Sequence, residues 1–272
     1  MFVRLGFVRV FSFFFLAFAV VSTVVPAPSA SASPDGFCAE LGGSWNGADA
    51  KCEMSFTRQG TVSDATTGQH TVKITAQYPA DLIDQPTAGP VLRQYLRDFS
   101  TDFGNSKNWL LAAAGSDITY RVYEHSAAVR SVVFRNAWYV QGAAHPNDEL
   151  HTFTFDVAAG RQLGLADLLR PGLDPLVALP PLVRPSLQTE LERINRINGV
   201  ESSGLQAGDF EPKTAEHPYP HSDGYAAFAL TKDELILMMP AYRSGPVGAG
   251  LVSPHVPLTA LRSVLRPEYL PS

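Results

Sequence analysis

His151-Thr152-Phe153-Thr154-Phe155-Asp156 alternates ring and hydroxyl residue by residue, and Val129-Arg130-Ser131-Val132-Val133-Phe134 upstream of it is dense in β-branched and aromatic side chains. Alternation with period two sends neighbouring side chains to opposite faces, so both stretches read as strands. The β character of the second stretch continues through Trp138 and Tyr139 to residue 140. Residues 117–125, with Ile118, Tyr120, Val122 and Tyr123, form a further strand. Glu124 to Ala128 is a connection short enough to join 117–125 and 129–140 as a hairpin. Gly142 to Asp148, with Pro146 and Asn147, is a turn between strands.

Working outward, Val72, Ile74, Ala76 and Tyr78 mark a strand over 71–78. Residues 86–103 place Val91, Leu92, Tyr95, Leu96, Phe99 and Phe103 near a 3.6-residue period, which predicts an amphipathic helix with Asp84 as its N-cap. A second long helix is expected over Leu182 to Asn198, striped by Leu187, Leu191, Ile194 and Ile197 and stopped by Gly199. Gly160 turns the chain before Asp167-Leu168-Leu169, a short helix ending at Pro171. Strands follow at Tyr225 to Leu230, Leu235 to Met239 and Val252 to Val256, then a C-terminal helix at 258–266. The expectation is an α+β fold: a largely antiparallel sheet packed by two long helices and a C-terminal helix.

The first 32 residues carry Arg4 and Arg9, then an apolar run from Val10 to Val25, then Pro26, Pro28 and Ala30-Ser31-Ala32. Positive, apolar and small-residue regions in that order define a secretory signal peptide, with cleavage expected after Ala32. The apolar run, roughly 16 residues, is shorter than the ~20 that span a bilayer. The expected organisation is a signal peptide at 1–32, a Gly-rich segment at 33–60 stapled by a bridge, and an α+β domain at 61–272. The bridge joins Cys38 and Cys52, the only two cysteines, because an exported pair meets an oxidising space. Without Arg4 and Arg9 the chain holds 19 basic against 26 acidic residues, a formal charge of −7. With no basic stripe it lacks the clustered Lys and Arg that nucleic-acid binding needs.

Four places invite a chemical reading. His145, in a tight turn, suits a ligand contact or a general base, with Asp148, Glu149 and Asp156 as candidate partners; the alternative is a histidine that bonds backbone and fixes the loop. His217 and His221 have H-x3-H spacing, but Pro218 and Pro220 forbid the helix on which that spacing gathers a metal. Ser222 lies in His221-Ser222-Asp223-Gly224, whose adjacent residues cannot form a triad among themselves, so the segment reads as a turn; no G-x-S-x-G or S-x-x-K is present. The loop Tyr242 to Gly250 holds Gly245, Gly248 and Gly250 but leads into a strand rather than a helix, unlike a phosphate cradle. Tyr242 and Arg243 beside it are residue types enriched at binding hot spots. No metal or cofactor is expected.

Three stretches taken together carry a family likeness: Tyr139-Val140-Gln141-Gly142-Ala143-Ala144-His145-Pro146-Asn147; Phe153 to Asp156 followed by Gly160-Arg161-Gln162-Leu163-Gly164-Leu165-Ala166-Asp167-Leu168-Leu169; and Phe228 to Leu235 followed by Pro240-Ala241-Tyr242 and Gly245 to Gly250. The chain from 37 to 266 resembles the extracellular domain of lysozyme-sensing anti-sigma factors and of some peptidoglycan deacetylases. It resembles more closely the secreted mycobacterial immunogenic antigens made of that domain alone, which also carry a cysteine pair near the N-terminus. The resemblance implies an α+β fold and a secreted or wall-associated protein. In the anti-sigma factors the domain binds lysozyme, in deacetylases it accompanies the catalytic domain, and some mycobacterial relatives are described as esterases. Where the family has Gly-Gly-Ala-His or Gly-Gly-Thr-His, this chain has Gly142-Ala143-Ala144-His145. The expected function is therefore a secreted cell-envelope interaction protein without assigned chemistry, whose partner is a lysozyme-like or host protein or wall glycan. Gly142, His145, Asn147, Tyr242 and Arg243 are its candidate binding residues. The alternatives are a carboxylic-ester hydrolase with an unusual site and a lectin-like glycan-binding module.

Overall fold

Val72, Ile74 and Ala76 are fully buried between exposed or half-buried neighbours, so alternation turns one face of their strand to a core. The computed structural model describes residues 33–61, 67–105, 113–198, 206–212, 222–239 and 251–271. Chain contacts separate Met1–Ser31 from Ala32–Ser272, and all described residues belong to the second unit. The stapled segment is part of the main sheet rather than an appendage. Helix α1 (Pro34–Glu40) holds Cys38 against Cys52 in a disulfide, both fully buried. Cys52 lies on β2 (Lys51–Thr61), which pairs antiparallel with the short β1 (Ser44–Asn46) and with β3 (Thr67–Ala76). Trp45 sits against Tyr78, with ring centroids 5.4 Å apart.

From β3 the chain passes through α2 (Ala80–Ile83) and α3 (Ala88–Asn105) before returning parallel to β3 as β4 (Ala114–Glu124). A parallel return needs such a crossover, and it lays α3 over one face of the sheet. Leu92, Leu96 and Phe103 pack there with Ile74, Ile118, Val132, Phe134 and Phe155. Full burial of each leucine stabilises by about 1.5–3 kcal/mol. The start of α3 differs from expectation. Gln85 Oε1 accepts the N–H groups of Thr87 and Ala88, both at 2.6 Å, whereas Asp84 is engaged by Arg93 at 2.7 Å. Gly89 lets α3 approach α2: a Cβ there would lie 2.4 Å from the Ile83 carbonyl oxygen.

The sheet continues in chain order through β5 (Val129–Val140), β6 (Asn147–Asp156) and β7 (Arg161–Leu163), all antiparallel, to seven strands. Short helices α4 (Leu165–Leu168) and α5 (Pro175–Ala178) lead to α6 (Pro180–Asn198). Val183, Leu187, Leu191 and Ile194 form its buried stripe, while Ile197, expected to extend it, is 68% exposed. That stripe packs on a second sheet of β8 (Phe228–Leu230), β9 (Glu234–Leu237) and β10 (His255–Pro257), contacting Leu230, Leu235, Leu237 and Val256. The other face of the small sheet, with Ala229, Ile236 and Met238, meets Val133 and Leu150 of the large one. The layers thus run α3, large sheet, small sheet, α6.

Two local expectations are corrected. The strand expected from Tyr225 begins only at Phe228, because Gly224 and Tyr225 are both left-handed, with φ of 63° and 56°. The expected C-terminal helix is a run of turns followed by a 3-10 turn at Pro267–Tyr269. Its backbone is used elsewhere: Arg170 N–H donates to Val264 O at 2.8 Å, and Arg266 N–H donates to Leu168 O at 3.0 Å. Leu258, Leu261 and Leu265 still reach the core from that irregular path.

The hydroxyls noted at the outset point away from α3, into the seam between the sheets. Ser131 and Thr154 lie opposite each other on β5 and β6, with hydroxyls 2.8 Å apart. Leu230 N–H donates to Ser131 Oγ at 3.0 Å and Phe228 N–H to Thr152 Oγ1 at 3.1 Å. The outer edge of β8 is thereby satisfied by side chains of the other sheet. Ser131→Ala is expected to leave the buried Leu230 N–H unpaired and to cost about 1–3 kcal/mol, read as a lower urea midpoint at unchanged slope. Gly89→Ala is expected to cost a similar ~1–3 kcal/mol by overpacking the α2–α3 contact, measured in the same titration.

Candidate functional site

Between β5 and β6 the chain reverses over residues 141–146. Gly142, with φ of 92°, makes the reversal in a region open to glycine at little cost. Ala143 N–H donates to Val140 O at 2.9 Å, Gln141 N–H to Ala113 O at 2.8 Å, and Tyr139 Oη to Ala143 O at 3.3 Å. His145 is exposed, and its Nδ1 lies 3.1 Å from the Pro146 carbonyl oxygen. A carbonyl only accepts, so Nδ1 is the donor in this contact. Asn147 opens β6 opposite Trp138. Gly142, His145 and Asn147 therefore fall within one turn.

The carboxylates considered beside His145 go to different places. Asp148 pairs with Arg135 at 2.9 Å on the small-sheet side of the large sheet. Glu149 points to the α3 side, 3.8 Å from His151. Asp156, at the far end of β6, accepts Ala159 N–H at 2.9 Å. Tyr242, Arg243 and the rest of the loop to Gly250 lie outside the described residues, as do His217 and His221. The flanks of that loop are fixed: Met239 N–H donates to Val252 O at 2.9 Å, and Met238 packs with Val133 and Leu150.

Ser222 is fully buried, and its Oγ accepts Gly224 N–H at 3.2 Å. It serves the turn that the sequence suggests. The hydroxyls of Ser116 and Ser131 are likewise engaged, by Asn136 and Thr154. Among the described residues no serine hydroxyl bonds a histidine ring, and no group of three His, Cys, Asp or Glu side chains could hold a metal.

A polar line beneath α3 escaped the sequence reading. Asn136 is fully buried in β5, its Oδ1 accepting from Ser116 Oγ; its Nδ2, Ser100 Oγ and Tyr95 Oη have no partner among the described residues. The available signal was a polar residue at the inward position between Phe134 and Trp138. Tyr95 stacks among Phe134, Phe153 and His151, with centroids 5.0, 5.4 and 4.8 Å away. Burial, reinforced by the negative charge of Glu149, pushes its phenol far above the ordinary tyrosine range. Burial does the same to Tyr78, which donates to Pro34 O at 2.7 Å, and to Tyr225, where Glu211 adds to the effect.

Among solved structures the chain is similar to a DUF3298 family protein from Pseudomonas aeruginosa PAO1, at 16% identity and a TM-score of 0.51, over 81% of this chain and 96% of that one. A DUF3298 family member from Bacteroides fragilis NCTC 9343 matches at 14% identity and a TM-score of 0.45, over 79% and 93%. At such identities the first likeness is one of fold. No protein-family model and no curated protein matches the sequence.

The three buried phenols give a signed pH dependence. Their folded pKa lies above the unfolded value of 10.0, so the neutral fold holds its full stability below pH 10 and loses it as the pH rises beyond. Chemical denaturation at pH 9 and at pH 11 is expected to show the lower midpoint at pH 11, and Tyr95→Phe to reduce that difference.

Proposed function

We propose that this is a secreted cell-envelope protein that binds a protein partner through the 142–147 turn and the sheet surface beside it. The supporting observation is a part of the large sheet, on the side facing the small one, that no described residue covers. The small sheet covers Val133 and abuts Leu150, whereas Arg135, Tyr139 (43% exposed) and His145 stand in solvent. Tyr and Arg are among the side chains enriched at binding hot spots. The resemblance to domains that bind lysozyme favours a lysozyme-like protein as the partner. Export is supported by the signal-type pattern of residues 1–32 and by the Cys38–Cys52 bridge, since disulfides persist in oxidising compartments. No described helix is long and apolar enough to cross a membrane.

The test is surface plasmon resonance of the immobilised protein against lysozyme and against purified wall polysaccharide. Lysozyme is expected to bind, with Tyr139→Ala and His145→Ala each weakening it about tenfold, ~1.4 kcal/mol. Binding of polysaccharide alone would reassign the surface to glycan. Turnover of short-chain p-nitrophenyl esters that disappears in Ser222→Ala would replace the binding reading with a hydrolase.

A further inference from the structure

The large sheet has a step in its middle. β3 pairs with β4 only from Ala114 to Ile118, although β4 runs on to Glu124. The last bond of that ladder is Gln77 N–H to Ile118 O, at 2.8 Å. Two residues on, the next donor in register is Pro79, which has no N–H, and the chain turns into α2.

The direction of the orphaned groups follows from the same bonds. Ile118 turns its carbonyl to β3, whereas His125 N–H donates to Val129 O of β5. Successive strand residues alternate. Thr119, Arg121 and Tyr123 therefore direct their backbone groups to β5, and Tyr120, Val122 and Glu124 direct theirs outward. No described residue bonds those outward groups. The edge from Thr119 to Glu124 runs about 20 Å at 3.3 Å per residue.

Its side chains select a partner. Tyr120 (39% exposed) and half-buried Val122 lie on one face. On the other, the exposed Arg121 guanidinium rests 5.1 Å from the Tyr123 ring with no carboxylate paired to it among the described residues. Glu124 is engaged by Arg130, which also binds Asp81 at 2.6 Å. Another step in the sheet differs. β6 beyond β7 carries Asp148 and Glu149, charges of the kind that block strand addition.

We infer that the Thr119–Glu124 edge is a strand-addition site for an extended polypeptide with acidic side chains on the Arg121 face and apolar side chains on the Tyr120–Val122 face. Main-chain bonds give such docking its affinity and alternate side chains give it selectivity. The edge lies at the opposite end of β4 from the strand end nearest the 142–147 turn, and it stands whether or not that turn binds anything.

The probe is an acetylated, amidated heptapeptide of alternating valine and glutamate, titrated into the full-length, isotope-labelled protein with amide exchange read by NMR. Tyr120, Val122 and Glu124 amides are expected to slow at least tenfold at saturation. Arg121→Glu should weaken the peptide at least tenfold and shift preference to the valine–lysine analogue. Val122→Pro, which removes an outward donor, should abolish binding. Arg121→Glu alters no backbone donor and tests the site independently of Val122→Pro. Unchanged exchange at these amides, or wild-type affinity in the Arg121→Glu variant, overturns the proposal. Protection of the same amides that rises with protein concentration alone would make a second copy the occupant and overturn it too.

Discussion

Three hydroxyls in the middle of a sheet face set the geometry of this molecule. Ser131 and Thr154 are buried and Thr152 is half-buried, on a face that an ordinary core would fill with aliphatic side chains. Left dry and unpaired, each would cost about 1–3 kcal/mol. The outer edge of β8 carries the same liability in its N–H groups. Docking β8 against β5 and β6 removes both at once, and hydrogen bonds are directional where apolar contact is not. The small sheet is thereby held at one position on the large one. Everything around it inherits that position: α6 on its outer face, the Met239–Val252 bridge at its end, and the boundary beyond which Arg135 and Tyr139 meet solvent.

On the α3 side, ordinary apolar packing does the equivalent task. Leu92, Leu96 and Phe103 are spaced for one helical face, and the sheet opposes them with Ile74, Ile118 and Phe134. Asn136 interrupts that surface, with Ser116 as its one described partner. The two seams thus differ in kind. One is specified by shape and apolar area, the other by donors and acceptors at fixed points.

Much of this was legible in the sequence because the signals were local. Alternation at 151–156 and the β-branched run at 129–134 identified the central strands, the apolar spacing at 91–103 identified α3, and two lone cysteines identified the bridge. What failed required knowing the partner. Thr152 and Thr154 were legible only as one face of a strand, since nothing in a single strand says that another sheet's edge will cover its hydroxyls. Leu258, Leu261 and Leu265 have helical spacing, yet their backbone bonds Leu168 and Arg170 instead. Tyr225 sits in a strand-like run but takes a left-handed φ that no residue type in that run announces. At the candidate site the turn of Gly142, His145 and Asn147 was readable from Gly and Pro, whereas the fates of Asp148, Glu149 and Asp156 depended on strand register. Arg121 and Pro79 drew no notice because each matters only relative to the neighbouring strand.

The seven strands of the large sheet lie in space in the order in which they occur along the chain. A chain that emerges N-terminus first therefore presents each new strand to a neighbour already made, with α3 as the one detour before β4. The seam with the small sheet closes later, the Ser131–Leu230 bond across 99 residues. Until β8 arrives, the hydroxyls of Ser131, Thr152 and Thr154 can be hydrated where aliphatic side chains in their place would expose a sticky surface. The same three groups that lock the finished protein would keep its half-made form soluble, so the late seam is written in residues that tolerate waiting.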